Sequence, residues 1–571
     1  MYTAEIRKLS RQFVPADFTV TDWAALEPYF NNLLQREITD QQGLELWLQQ
    51  LSELEAVVSE DACWRQIRMT CDTTNPALEA AFNYFCTQIQ PQLQQYADLL
   101  NKKLVQHPLT TTLNPKQYFT YLRNIRKSIE LFREANIPIQ SELAVKQQQF
   151  GVITGAMTVT IDGNEYTLQQ ASRFLEHPER QRREEAYRKI QERRLQDKDP
   201  LNSLFDELLQ RRQQLANNAG FNTYTGYRFK ELGRFDYGET ECAAFQTAVQ
   251  EQVVPLVARL HEKRRQRLQL DTLRPWDLDA EPRGVQPLRP FVTGEELTEK
   301  AIDCFTRLRP FFGDCLRKMK AMGHLDLESR KGKAPGGYNC PLAESGAPFI
   351  FMNAAGQMND VTTMLHEGGH AVHSFLAHPL PLNGFKEYPM EIAEVASMAM
   401  ELFTMDHWDI FFPDQDELRR AKEHQLERVI TLFPWIAVID RFQHWLYAHP
   451  GHTHDERTAA WMQILNEYHD GVVDYSGLDN YRANGWQRQL HLFEVPFYYI
   501  EYGIAQLGAI GLWMQYKKNP QQALDNYCNA LALGGTATLP ELFATAGLHF
   551  DFSSETIGEL MRFVQAELDA L

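Results

Sequence analysis

The feature that most limits how this chain can fold is the three- and four-residue spacing of its apolar positions. In "LELWLQQLSELEAVV", Leu44, Trp47, Leu48, Leu51, Leu54 and Val58 recur at that spacing. Such a pattern is one stripe of a helix, with glutamine and glutamate on the opposite face. A half-buried strand would need strict alternation instead. One stretch does alternate: "MTVTIDGNEYTL" at 157–168, centred on Asp162-Gly163, reads as a β-hairpin. Helical spacing resumes with "SRFLEHPERQRREEAYRKIQERRL" and holds until a proline-rich loop, "LRPWDLDAEPRGVQPLRP", at 273–290. The next helix opens at Thr293 and Glu296, spaced as a capping box. A loop-and-strand region follows at 331–353, ending in the strand candidate "PFIFMN". From Asn359 or Asp360, either able to cap, the chain enters a helix and stays mainly helical to Leu571. The reading is mainly α, with a small β element just before residue 360.

With 571 residues the chain exceeds the size at which one core stops growing, so at least two lobes are expected. The boundary is placed near residue 200: a helical N-terminal lobe over 1–200 carrying the hairpin, then 201–571. A formal net charge of −18 argues against nucleic acid or an anionic membrane as partner, since both need a basic face. Eight cysteines without a C-x-x-C pair read as reduced thiols. The N-terminal residues have no apolar segment of a secretory signal, and the apolar run at 429–439 is broken by Pro434. The expected compartment is the cytoplasm.

The chemistry gathers in "TMLHEGGHAVHSFLAH" at 363–378. His366 and His370 are four residues apart and share one helix face. That spacing lets two imidazoles approach one metal ion at the roughly 2 Å distance zinc requires. Glu367 sits one step round the helix. Together they form H-E-x-x-H, a pattern in which zinc acidifies a water and the glutamate takes its proton. Gly368 and Gly369 run against helix stability, at about 1 kcal/mol each relative to alanine, so something must require them.

A catalytic zinc needs a third protein ligand and an open position. "YPMEIAEVASMAMELF" at 388–403 offers Glu391, Glu394 and Glu401 among apolar neighbours, where carboxylates are costly unless paired or metal-bound. Spacing leaves both Glu391 and Glu394 open as the third ligand. His373 and His378 read as packed or capping histidines. Near the C-terminus, "QLHLFEVPFYYIEYGIAQLGAIGLW" places His491 just before Tyr499 and Tyr502, three apart on a helix. Such tyrosines are ordinarily core residues, unless a metal site needs donors for a developing oxyanion.

"DVTTMLHEGGHAVH", "EIAEVASM" and "HLFEVPFYYIEYGI", in that order, resemble the oligoendopeptidase F and thimet oligopeptidase family of zinc metallopeptidases. "DGNEYTLQQASRFL" and "GFNTYTGYRF" resemble its upstream segments, so the likeness covers most of the chain, more loosely before about residue 150. The resemblance implies one zinc ion per chain, held by His366, His370 and Glu394. It makes Glu367 the general base, and Glu391 a partner that orients a ligand. His491, Tyr499 and Tyr502 would stabilise the tetrahedral intermediate, and Gly336, Gly337 and Tyr338 would contact the substrate. It further implies a two-lobed helical body around a deep substrate channel, with a small β-sheet beside the zinc-binding helix, and 201–571 as the catalytic region. The family usually has glycine at position 369 but a larger apolar residue at 368. Either a neighbouring side chain fills the space at Gly368 or the site is wider there.

The expected activity is hydrolysis of internal bonds in short, unstructured oligopeptides. The rivals are a helical zinc metallocarboxypeptidase, an inactive peptide-binding relative, and a helical scaffold without metal.

Overall fold

A computed structural model describes Ala4 and residues 11–571, apart from Arg283, Lys331, Pro335 and the side chain of Gln148. The chain is mainly α, with a two-stranded and a three-stranded sheet among the described residues. It divides into two compact units that interleave along the sequence. The first gathers Met1–Ile137, Arg289–Ala421 and Ile504–Phe550, and the second Pro138–Leu288, Lys422–Gly503 and Asp551–Leu571.

The apolar stripe from Leu44 to Val58 lies on the helix Gln41–Cys71, and all six of its residues are buried. Trp47 is fully buried, with its indole N–H donated to the Leu33 carbonyl at 2.9 Å. Each such apolar side chain contributes about 1.5–3 kcal/mol on leaving water. They form one N-terminal core of the first unit together with Leu382 and Phe385.

The hairpin of the second unit pairs β1 (Thr158–Ile161) with β2 (Asn164–Thr167). Asp162 and Gly163 both adopt positive φ, 52° and 79°, the conformation a two-residue hairpin turn of matching twist demands. Val159 and Ile161 point inward against Ala186 and Ile190 of the helix Arg180–Gln196. The proline-rich loop is tied down rather than loose. Asp277, fully buried in a short turn, is clamped by Arg180 and Arg183 at 2.8 Å each.

In the first unit a three-stranded sheet runs β3 (Leu325–Glu328), β5 (Phe349–Ala354), β4 (Tyr338–Cys340). The central strand, β5, is parallel to β3 and antiparallel to β4. Four successive residues of β5, Phe349 to Met352, are buried, which explains why it reads as an unbroken apolar run. The chain then enters the histidine helix, Met358–Ala377. That helix begins before the caps expected from sequence. Its N-cap is Gln357, and the Asp360 carboxylate reaches back to accept from the Gln357 and Ala355 N–H groups at 2.8 and 2.7 Å. An acceptor in the first turn does the work of a cap from inside. The histidine helix packs against β4 and β5, the helices Gly294–Leu308 and Pro310–Met322, and the glutamate helix Met390–Phe403. At the first of these, Thr293 caps by accepting from the Glu296 N–H at 3.1 Å, while Glu296 accepts from Val292 rather than from Thr293. No helix among the described residues is long and apolar enough to cross a membrane.

Candidate metal centre

His366 and His370 project from one face of the histidine helix, with ring centroids 4.9 Å apart. The glutamate helix brings Glu394 opposite them. One carboxylate oxygen of Glu394, Oε2, lies 3.3 Å from His366 Nε2 and 3.6 Å from His370 Nε2. In a tetrahedron with bonds of about 2.0–2.1 Å, ligand atoms stand roughly 3.3 Å apart. Both imidazole nitrogens therefore stand from Glu394 Oε2 at close to the spacing that a zinc ion between them would impose, and the three ligand atoms lie within 4.8 Å of one another; two imidazoles with a carboxylate suit that ion.

The other ring nitrogens are also engaged. His366 Nδ1 meets Glu401 Oε1 at 2.7 Å, and His370 is bonded to the Ala393 backbone. A histidine whose far nitrogen donates to an acceptor has its tautomer and ring plane fixed, and becomes a better ligand. Glu401 and the Ala393 backbone supply these contacts. The signal for Glu401 was in the sequence: it lies two helical turns beyond Glu394, on the same face. The Ser397 hydroxyl donates to Glu394 Oε2 at 3.2 Å. Asn339 of β4 donates to the Glu367 carbonyl at 3.2 Å, joining the sheet's edge strand to the middle of the histidine helix.

Electrostatics point the same way. Burial opposes a charge on His366, yet Glu394 and Glu401 outweigh it and push its pKa well above the ordinary value. His370 is pushed down to about 4 by burial. The field that favours a proton on His366 favours a divalent cation equally. Glu367 is 7% exposed, and burial first, then Glu394 and Glu401, push its carboxyl up to about 7 against the pull of His366. Its Oε2 has no hydrogen-bond partner among the described residues. Such an atom is costly to bury, and it sits one residue from a ligand candidate.

The two glycines have separate reasons. A Cβ on Gly369 would stand 2.6 Å from both the Ala396 carbonyl oxygen and the Ser397 Cα. The glutamate helix can come close enough to deliver Glu394 only because no side chain intervenes. At Gly368 a Cβ would meet the Phe305 ring at 2.6 Å, so a neighbouring aromatic fills the space. Gly369→Ala should lower stability by about 1–3 kcal/mol and weaken metal binding, read by denaturant unfolding and metal titration. Gly368→Ala presses on a side chain rather than on backbone and should cost less. Equal effects would count against close helix approach as the reason for Gly369.

Residues 173–561 match Peptidase family M3, and residues 13–132 match the Peptidase M3 N-terminal domain. The chain belongs to peptidase family M3. Among M3 relatives it is 25% identical over 327 residues to oligopeptidase PepF of Bacillus subtilis (strain 168), which covers 56% of this chain and 47% of that protein. It is 23% identical over 219 residues to an oligoendopeptidase F homolog of Borreliella burgdorferi, covering 37% of this chain and 36% of that one. The matched stretch thus spans about half or less of those relatives' length. A 3.1 Å crystal structure provisionally assigned as an oligoendopeptidase F is similar, with TM-score 0.92 and 26% identity over 98% of this chain and 99% of that one. The fold of Pz peptidase A, solved with an inhibitor, is also similar: TM-score 0.92, 24% identity, 98% and 99% coverage.

The remaining candidates of this M3 chain fall in two places. His373 is fully buried, its ring stacked on Tyr388 at 3.6 Å, and His378 is the C-cap of its helix. In the first unit Tyr338 is half-buried on β4. Its hydroxyl lies 2.6 Å from Thr70 Oγ1 and its ring stacks on Phe351 at 4.8 Å. Gly336, at φ +99°, and Gly337 lead into the β4 edge, and the Asn353 side chain donates to the Gly336 carbonyl at 2.8 Å.

In the second unit His491, Tyr499 and Tyr502 form one cluster. The His491 ring is 4.8 Å from Tyr499 and 5.6 Å from Tyr502, with Nε2 3.4 Å from the Tyr502 hydroxyl. Two residues missed in the sequence fix the histidine. The Trp435 indole can only donate, so the Gln489 oxygen faces it at 2.9 Å. The Gln489 amide nitrogen therefore points at His491 Nδ1, 2.7 Å away, which must accept. The proton of a neutral His491 is left on Nε2, facing Tyr502. Burial pushes the Tyr499 hydroxyl up to about 12, so it stays a donor at neutral pH. Phe497, at φ +64°, makes the turn before the tyrosines. Its N–H donates to Gln443 and its carbonyl accepts from Arg234, which hold a backbone conformation that phenylalanine rarely adopts.

Proposed function

We propose that this chain is a zinc-dependent endopeptidase that hydrolyses internal bonds of short, unstructured oligopeptides. The observation that carries the reading is the convergence of His366, His370 and Glu394, with the Glu367 carboxylate beside them, its Oε2 without a hydrogen-bond partner among the described residues. Membership of family M3 and the printed names of the oligoendopeptidase F relatives support it. A scaffold or purely structural metal site would have no use for a base, buried and unpartnered, next to its ligands.

Zinc bound by those three residues would supply Lewis acidity toward a water and the scissile carbonyl. The chain supplies the rest. Glu401 and the Ala393 backbone hold the imidazoles in one orientation. Glu367, raised toward neutrality by burial, takes the proton of the attacking water and returns it to the leaving nitrogen. β4 is an edge strand of its sheet, and its backbone, Tyr338 and the Gly336-Gly337 turn are proposed to hold an extended peptide. His491, Tyr499 and Tyr502 are proposed donors to the developing oxyanion, as in the family they resemble. Glu391, buried on the same helix as Glu394, is proposed to help orient a ligand, as in the family it resembles. The eight free thiols suit the cytoplasm as the place of action.

Peptides blocked at both ends separate the readings. Internal cleavage fragments identified by mass spectrometry are expected, whereas a carboxypeptidase would leave such peptides intact. Tyr502→Phe tests the donor role, because the ring and its packing remain. It should lower kcat about 10²–10³-fold, with little change in KM or Tm. Unchanged kcat with a lowered Tm would make Tyr502 a core residue.

A further inference from the structure

The second unit contains another convergence of ligand-type side chains, remote in sequence from the H-E-x-x-H helix. Cys242 lies on the helix Glu239–Gln252, and Asp440 and His444 lie one turn apart on the helix Gln415–Ala448. One ligand atom from each residue falls within 4.8 Å of the other two. Cys242 and Asp440 are both fully buried. Among the described residues Asp440 Oδ1 and His444 Nε2 have no hydrogen-bond partner, although both are buried polar atoms. The other Asp440 oxygen accepts from the Gln246 amide at 2.8 Å, which fixes the carboxylate.

A simple ion pair is the obvious alternative, and the spacing speaks against it. Elsewhere in this unit, histidines paired with aspartates close to contact: His261 with Asp470 at 2.6 Å, and His454 with Asp206 at 2.6 Å. Charge-assisted hydrogen bonds ordinarily close to about 2.7–2.9 Å. His444 Nε2 instead stands 3.6 Å from Asp440 Oδ2, the same separation as His370 Nε2 from Glu394 Oε2. Both match the distance between two ligands of one tetrahedral ion better than that of a hydrogen bond. The orientation matches as well. His444 Nδ1 faces the Glu239 carboxylate at 3.4 Å, leaving Nε2 toward Cys242 and Asp440. A carboxylate behind a ligating imidazole is the arrangement that Glu401 gives His366.

We propose that Cys242, Asp440 and His444 form a second, structural metal site that takes Zn²⁺. Thiolate, imidazole and carboxylate together suit a borderline ion, and the sulfur excludes magnesium and calcium. The His444 side chain is 19% exposed, which leaves the fourth position to water. Binding requires Cys242 to lose its thiol proton to solvent as the Zn–S bond forms, with no change of oxidation state. The ion would tie together two helices whose contact residues Gln246 and Asp440 are 194 positions apart in sequence. Behind it, the His444 ring lies 5.1 Å from that of Phe497, the residue that makes the turn before Tyr499.

The test uses the full chain, freed of metal and then loaded with Co²⁺ or Zn²⁺. The H-E-x-x-H site has no sulfur ligand, so a thiolate-to-cobalt charge-transfer absorption can come only from a cysteine site. Wild type should show that absorption and retain two zinc ions per chain after desalting. Cys242→Ser should lose the absorption and one zinc, while His366→Ala should lose one zinc and keep the absorption. Asp440→Asn, close in shape, should weaken the same site if Cys242→Ser folds poorly. A wild-type protein without the absorption would overturn the proposal, as would an absorption or zinc content unchanged in Cys242→Ser. One zinc with the absorption would instead count against the H-E-x-x-H site alone, so the two readings fail separately.

Discussion

Glu367→Gln should lower kcat by about 10²–10⁴-fold while the protein keeps its metal and its KM. The amide has nearly the shape of the carboxylate and adds no charge to a buried position, so neither fold nor ligand geometry has reason to change. What it cannot do is accept a proton. Burial favours that capacity, bringing the Glu367 carboxyl up to about 7 before any metal is bound, and a general base works best near the operating pH. The unpartnered Oε2 is where the proton would arrive. Steady-state kinetics on a fluorogenic peptide, with metal content measured on the same preparation, decides it. Activity within tenfold of wild type would remove Glu367 from the mechanism.

Glu394→Ala should abolish both zinc retention and peptide cleavage, and it stands at the top of a graded series. Glu394 Oε2 is the atom that both imidazoles face, at 3.3 and 3.6 Å, so its loss leaves a two-ligand site. Glu401 acts through His366, at 2.7 Å from Nδ1. Removing such a partner typically costs about 10–100-fold in metal affinity, so Glu401→Ala should bind zinc weakly and regain activity at high zinc. Glu391→Ala should fall below both. Competition with a chelator of known affinity gives the order directly. If Glu391→Ala lost the metal while Glu394→Ala kept it, the assignment of the third ligand would be wrong.

How much of this could be read beforehand follows the range of the interaction. The hairpin was legible because a two-residue turn is a local matter: Asp162-Gly163 carries its positive φ values in any context. The stripe from Leu44 to Val58 was legible because period alone assigns it to a helix face. The exact start of the histidine helix was less so, since Asp360 satisfies N–H groups of residues before it and moves the boundary to Met358.

The site divides along the same line. By itself the sequence determined that His366, Glu367 and His370 share one turn of helix, because a four-residue interval leaves no freedom once the helix forms. It also put Glu391, Glu394 and Glu401 on one neighbouring helix. It could not say which of them meets the imidazoles, because spacing along one helix is silent about how a second helix lies against it. The tertiary structure decided that through Gly369. Contact with the Ala396 and Ser397 backbone sets the depth and register of the two helices. That register puts Glu394 between the histidines and Glu401 behind His366. Phe305 likewise fills the space at Gly368 from a helix some sixty positions earlier in the chain, and Gln489 and Trp435 set the tautomer of His491. Each of these choices rests on close packing between segments far apart in sequence, where a few tenths of an ångström separate contact from clash.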